Sequence, residues 1–327
     1  MIETPRMHDP LGTGLPNSAE NLAAYDSDQL RAEVRGLSEW GAAPLAPVQG
    51  RRILALHSLG GDPNRTDTGG PSLQEYASTP WLRRLPVLRN VLRTLPAPLR
   101  SVRLLALSPG ARFTGLQSAK CGPPWGLCRL HLPIASGVGT RAVFVGGSYC
   151  WRPGTLSFAA SWRQHALVND EYEELIHLVI DLYHTKELAR LFPEHLQARL
   201  TAPASLELRR QIPLAPDEIR RYACRFPLPE SFANWEQPGH LLPRNALRGI
   251  VTAEIVTEDG TPRLVMAGQP FCVLEHLGQG EFRMRGWSDE RTLQVQTGLH
   301  QPTPVVVARA REGANTYSIR LPAMSVT

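Results

Sequence analysis

Arg129-Leu130-His131-Leu132-Pro133-Ile134 lies inside a stretch, Ser101 to Asp181, whose pattern decides the fold. Before it runs VRLLALSPGA (Val102 to Ala111), followed by a polar loop rich in Gly and Pro. After it come FVGG, the turn WRPG, SFAASWRQH ending at His165, and LIHLVID (Leu175 to Asp181). Each run is short, alternating or continuously apolar, and bounded by Gly, Pro or Ser. That is the signature of β-strands joined by turns. So many short strands in one stretch predict a small jelly roll or barrel rather than a parallel α/β sheet.

Strand alternation then sorts side chains. Arg129 and His131 fall on one face of their strand, with Cys128, Leu130 and Leu132 on the other. An inward face carrying Arg129 and His131 would make the interior polar there; read singly, Arg129 is a surface charge and His131 a hydrogen-bonded core histidine. Leu175 and His177 share a face of the last strand, which directs His177 either toward that interior or into packing. Arg163 precedes His165 by two residues, and in an extended segment it would share the His165 face as an anion partner; the alternative is a solvated surface arginine.

Working outward, Asp26 to Trp40 reads as a helix, with Ser27 or Asp28 as cap and Leu30, Val34 and Leu37 along one side. Pro80 to Leu95 reads as a second helix, kinked or split at Pro86. Between them GGDPNRTDTGGP is a loop. Its Arg65 and Asp67 are placed either to hold a substrate at a pocket mouth or to pair with each other across a turn. Residues 1–24 read as a flexible arm. Beyond Asp181 short helices are expected at Thr185 to Leu191, Glu194 to Leu200 and Pro216 to Arg225, the last after a Pro-rich passage. Hairpins turning at Asp259-Gly260, at Gly278 to Gly280 and around Gly313 then predict a separate sheet or barrel of roughly six strands.

The run of motifs, RLLALSPGA, RLHLPI, WRPGTLSF, WRQHALVN and LIHLVID, resembles the aspartyl/asparaginyl β-hydroxylase family of Fe(II)/2-oxoglutarate dioxygenases. HSLGGDPNRTDTGGP (His57 to Pro71) and YASTPWLRRLPVLRNVLRTL (Tyr76 to Leu95) are similar to its bacterial branch, and the resemblance spans Tyr25 to Leu191. It implies a mainly β fold with flanking helices, a double-stranded β-helix (jelly roll, cupin-like) core over residues 25–200; the C-terminal β-rich domain over 201–327 is read from its hairpins alone.

The same resemblance makes the chemistry an open question. Such oxygenases hold iron with two His and one carboxylate. Counted without gaps, the family's His-x-Asp pair falls at Leu116 and Ser118, neither a useful ligand. A one-residue slide brings Gln117 and Ala119 there instead, which leaves Gln117 as a candidate substrate contact. No His, Asp or Glu occurs between Pro109 and Leu130. The distal ligand position is kept as His165. The family's arginine for the far carboxylate of 2-oxoglutarate is replaced by Leu175, and burying that carboxylate unpaired costs several kcal/mol. The Arg-x-His pair that helps bind the co-substrate is kept as Arg129 and His131.

The sequence of 327 residues carries a net charge of +5, almost all of it from Arg, with 42% hydrophobic residues. That suits a globular protein of two domains. No basic stripe interleaved with aromatics points to nucleic acid, and neither a signal peptide nor a membrane-length apolar run is present in the sequence. A cytoplasmic location is the resulting expectation. The five cysteines have no paired C-x-x-C spacing and read as reduced thiols. Cys121 and Cys128, which flank the loop GPPWGL, also admit a metal or redox role.

Three functions follow as expectations. One is a repurposed tailoring enzyme for an amino-acid-like or peptide-linked substrate, with no metal or cofactor. In it His131 and His165 are the acid/base pair, and Arg129 is the anion anchor, aided by Arg65, Asp67, Gln117, Arg163 or His177. The second is an iron-dependent oxygenase with an unorthodox ligand set, using Fe(II) and 2-oxoglutarate. The third is a non-catalytic receptor for a small molecule or peptide. Nucleic acid and membrane are not expected partners; a homodimer is an option.

Overall fold

A computed structural model describes residues 11–38, 40–42, 50–111, 118–244, 248–298 and 301–326. The chain forms two compact units: residues 1–68, 76–123 and 127–205 make the first, and residues 69–75, 124–126 and 206–327 the second.

The first unit holds eleven strands: β1 (Ser18–Ala24), β2 (Gly41–Ala42), β3 (Arg51–Leu59), β4 (Tyr76–Ser78), β5 (Leu99–Leu107), β6 (Leu127–Ala135), β7 (Thr140–Phe144), β8 (Gly147–Tyr149), β9 (Thr155–Ala159), β10 (His165–Asn169) and β11 (Leu175–Tyr183). Eight of them form one antiparallel sheet in the order β1-β9-β6-β11-β5-β3-β2, with β4 on β3. The other three form a small sheet, β10-β7-β8. The mainly β, jelly-roll expectation is met. Residues 18–24 depart from the flexible arm expected there, because β1 pairs with β9 along the large sheet's edge.

Cross-strand register explains how the large sheet is sided. Leu104 and Leu54 on β5 and β3 are in register with Leu178 of β11, and Ile180 of β11 lies opposite Leu130 of β6. These leucines and isoleucines face the helices. There α1 (Ser27–Val34) contributes Leu30 and Val34, and α3 (Pro86–Arg93) contributes Leu88, Val91 and Leu92, all buried. Burying each such side chain is worth roughly 1.5–3 kcal/mol. Asp26, rather than Ser27 or Asp28, caps α1, accepting from the amides of Asp28 and Gln29. The Pro86 expectation resolves as a split: α2 (Pro80–Arg83) stops before it and α3 starts on it. The opened helix end is served from a distance, since Val87 and Leu88 donate their amides to the Glu33 carboxylate at 2.7 and 2.8 Å. Two short helices, α4 (Lys186–Ala189) and α5 (Glu194–Leu200), close the unit.

The second unit begins with α6 (Pro216–Arg220), shorter than expected, and contains α7 (Glu230–Ala233). Its strands are β12 (Cys224–Pro229), β13 (Ile250–Glu258), β14 (Thr261–Met266), β15 (Gln269–Gly278), β16 (Glu281–Met284), β17 (Arg291–Gly298), β18 (Gln301–Glu312), β19 (Asn315–Pro322) and β20 (Met324–Ser325). They form one sheet, a meander from β12 to β19, with β20 returning to pair with β12. One residue separates β19 from β20, although they stand at opposite ends of the strand order. The sheet therefore curls until it nearly closes, which hides its edges. Nine strands stand where six were expected. Asp259 and Gly260 have φ of 50° and 69°, the paired left-handed conformation that an Asp-Gly hairpin turn requires. One face carries an ion-pair lattice: Glu281 accepts from Arg209, Thr292 and Arg311 at 2.6, 2.6 and 2.7 Å.

Candidate functional site

The large sheet's other face is polar where a core would be apolar. In register across it lie Arg103 of β5, His177 and Asp181 of β11, and Arg129 and His131 of β6, with Ser157 of β9 opposite His131. Arg51 of β3 extends the same face, in register with Leu107 and Leu175. Strand alternation sends the hydrophobic residues of these strands to the helices and these groups inward.

Asp181 is the hub. Its fully buried carboxylate accepts from Arg129 Nε and Nη2 at 2.6 and 2.8 Å, a bidentate pair, and from Arg103 Nη2 at 3.2 Å. Burial alone would raise its pKa, but the charge and hydrogen bonds of Arg129, then Arg103 and Arg100, hold the carboxyl well below the usual range. Arg129 answers in kind: burial opposes its charge and Asp181 overrides it, so its pKa rises. Arg103 has less help. Burial, with Arg129 and Arg51 close by, brings it down to about 10 despite Asp181. Arg51 is lowered by burial and then by the Arg129 charge. Arg100, buried to 1% exposure, lies over the Tyr76 ring at 5.7 Å. Cys121 Sγ sits 3.8 Å from Asp181, and burial first, then Asp181, pushes its thiol up to about 12. The Cys128 thiol is also pushed well up, chiefly by burial. Both therefore stay protonated thiols, which argues against the thiolate a metal or redox role requires.

Beside this charged end stands an aromatic one. His131 lies 4.9 Å from the Trp151 ring and 5.8 Å edge-on to His177, and Trp151 is 5.9 Å from His177. Burial drives the His131 pKa well below its usual value, with His177, Arg129 and His165 adding to it, and takes His177 down to about 3. The near-neutral imidazole expected for acid/base work is thus absent at His131: both rings are neutral at physiological pH. His131 Nδ1, both nitrogens of His177 and the Ser157 hydroxyl have no hydrogen-bond partner among the described residues. His165, on β10 of the small sheet, stacks on Phe144 at 5.3 Å and meets the Arg163 carbonyl at 2.9 Å through Nδ1. Its pKa is lowered mainly by burial, partly restored by that carbonyl.

The remaining expected residues divide. Arg163 lies in a turn rather than an extended run, so it does not share the His165 face. Its guanidinium donates to Asn17 Oδ1 and the Leu15 carbonyl at 2.9 and 2.8 Å, binding the start of the chain to the sheet. Arg65 and Asp67 pair with each other at 3.4 Å on an exposed loop, the turn-stiffening alternative. Ser118 is exposed, and Leu116 and Gln117 lie outside the described residues. Leu175 is buried and apolar, so it offers no anion anchor. The sequence reasoning missed Arg51, Arg100, Arg103, Asp181, Ser157 and Trp151. The available signal was a charge interrupting an apolar strand, in VRLLAL and at the end of LIHLVID.

Among the described residues the donor set does not fit iron. Asp181, the carboxylate on the inner face, is spent on two arginines, and among the described residues no group of three His, Cys, Asp or Glu is placed to hold a metal ion.

No family model matches the chain, and no curated protein matches it. Among solved structures it is similar to an oxidoreductase of the 2OG-Fe(II) oxygenase family from Burkholderia pseudomallei, at 13% identity over 51% of this chain and 84% of that one, with a TM-score of 0.35. A prolyl-4-hydroxylase from Pseudomonas putida is similar at 14% identity over 51% and 91%, TM-score 0.30. The polyketide cyclase RemF from Streptomyces resistomycificus is similar at 8% identity over 44% and 72%, TM-score 0.26.

Proposed function

We propose that this protein is an enzyme of the aspartyl/asparaginyl β-hydroxylase-like branch of the dioxygenase superfamily. In place of iron and 2-oxoglutarate chemistry it performs acid/base chemistry on a small anionic substrate, amino-acid-like or peptide-linked. One observation carries this reading: two buried, neutral imidazoles and a buried hydroxyl have nitrogen and oxygen atoms without a hydrogen-bond partner among the described residues, beside a buried arginine–aspartate pair. Each unsatisfied buried polar group costs about 1–3 kcal/mol, a cost that a substrate hydrogen-bonding to them removes.

His131, unprotonated at neutral pH, accepts a hydrogen bond from the substrate. His165, the less depressed ring, exchanges protons with it. Arg129 is held charged by Asp181 and keeps Nη1 for the substrate anion. An isomerisation, elimination or cyclisation needs no more than these groups. The polar partners are fixed in advance by the sheet, so they need no reorganisation on binding.

The test is metal analysis after anaerobic loading with Fe(II), with calorimetric titration of 2-oxoglutarate. The expected result is neither stoichiometric metal nor co-substrate binding. One iron per chain together with 2-oxoglutarate binding would overturn the proposal and make the protein an oxygenase whose ligands include the two unpartnered histidines.

A further inference from the structure

Three adjacent strands, β9, β6 and β11, bring three uncharged polar side chains onto one small area of the inner face. Ser157 of β9 stands directly opposite His131 of β6. His177 of β11 lies one step along, its ring 5.8 Å from that of His131. Ser157, His131 and His177 are 0%, 8% and 1% exposed. Among the described residues the Ser157 hydroxyl, His131 Nδ1 and both His177 nitrogens have no hydrogen-bond partner. Native interiors rarely leave such groups unmet. What surrounds them is apolar. Val179, 5% exposed, lies across from His131 on the same face. Trp151 packs its ring 4.9 Å from His131, while its indole N–H goes to the Ser18 hydroxyl at 2.9 Å. Trp151 thus offers a flat wall and no hydrogen bond.

Resting on the enzyme reading above, we infer that Ser157, His131 and His177 bind an uncharged amide edge of the substrate, N–H and C=O side by side, as in a carboxamide, a lactam or a cyclic ureide. The hydrogen-bond inventory makes the choice. A neutral imidazole carries one N–H and one bare nitrogen. Burial keeps both rings neutral, holding His177 down to about 3. His177 alone therefore offers one donor and one acceptor, and the Ser157 hydroxyl acts as either. A carboxylate or phosphate only accepts. It would turn lone pairs toward the bare nitrogens and bury a charge that these neutral groups do not pair. An ammonium only donates and leaves the N–H groups unmet. A hydroxyl donates once from a single oxygen, whereas the groups to be met come from three strands. An open-chain peptide amide is trans and points its N–H and C=O to opposite sides, but a cis edge presents both to one patch. Arg129 lies two residues from His131 on the same face, about 7 Å along the strand, and remains the contact for the substrate's anion. The substrate class is a monoanion with a neutral amide end, not a dianion.

The test uses the full chain with four probes: succinamate, hydantoin-5-acetate, monomethyl succinate and succinate. Affinity is read by calorimetry, and contact by the imidazole NMR signals of His131 and His177. One amide probe per chain is expected to bind and to shift both imidazoles. It should bind at least tenfold tighter than monomethyl succinate, which cannot donate, and than succinate, which carries a second charge. Whether succinamate or hydantoin-5-acetate binds tighter tells an open carboxamide from a ring. Ser157→Ala and His177→Leu should each weaken the tighter amide probe about tenfold, bringing it toward monomethyl succinate, with the circular dichroism spectrum unchanged. Equal binding of amide, ester and dianion overturns the amide site, as does amide binding that neither substitution weakens. The enzyme reading then stands on the anion held at Arg129. If no probe moves either imidazole, the amide site is equally overturned; if in addition none binds, the substrate reading beneath it falls too.

Discussion

Acidification tests the buried histidines directly. An imidazole titrates near pH 6.5 in an unfolded chain, whereas His177 is held down to about 3 and His131 well below its ordinary value. Below pH 6.5 the unfolded chain therefore binds protons that the native state refuses. The stability involved is complete above that pH and is lost progressively toward pH 3. At pH 5.5 each such group costs about 1 kcal/mol relative to pH 7.5, so the two together cost about 2–3 kcal/mol. That is a large share of the roughly 5–15 kcal/mol of a typical domain. His57, lowered to about 4 by burial, adds in the same direction. The assay is urea unfolding followed by circular dichroism at pH 7.5 and 5.5, for the native chain and for His177→Leu. Removing one titrating group should shrink the difference between the two pH values by about 1 kcal/mol. It should also leave stability at pH 7.5 unchanged or higher, because the lost nitrogens had no partners. A variant that loses as much stability on acidification as the native chain would refute the argument.

Other perturbations have equally defined outcomes. Asp181→Asn strips Arg129 and Arg103 of their counter-charge and should cost about 3–5 kcal/mol in chemical denaturation, since it leaves buried charge unpaired. Glu33→Gln removes the carboxylate that serves the opened end of α3, and a loss of about 1 kcal/mol is expected by the same measurement. At Gly122 an added Cβ would lie 2.3 Å from the Trp162 ring, so Gly122→Ala should cost about 1–3 kcal/mol, seen as a lowered thermal midpoint.

Much of the first unit was legible in the chain because short apolar runs with period two, broken by Gly and Pro, admit few other structures. LIHLVID and RLHLPI each became a strand, and the split at Pro86 followed from the missing amide of proline. The second unit was undercounted. CRFPLP carries two prolines and still pairs as β12, and RTLQVQTG has too few apolar residues to announce β17. Neighbouring strands supplied the hydrogen-bond partners that these segments could not signal alone.

For the site, sequence alone determined which residues alternate onto the face of Arg129 and His131, and that the stretch from Gly110 to Arg129 contains no His, Asp or Glu. Tertiary structure decided everything that depends on distance. It set Arg100, Arg103 and Arg129 around Asp181, turned Arg163 toward Asn17, and lowered the histidine pKa values by burying their rings. The physical reason is that alternation along a strand is a local property of the backbone, written in the order of residues. Charge pairing and desolvation arise only between groups that register brings together from strands far apart in the chain.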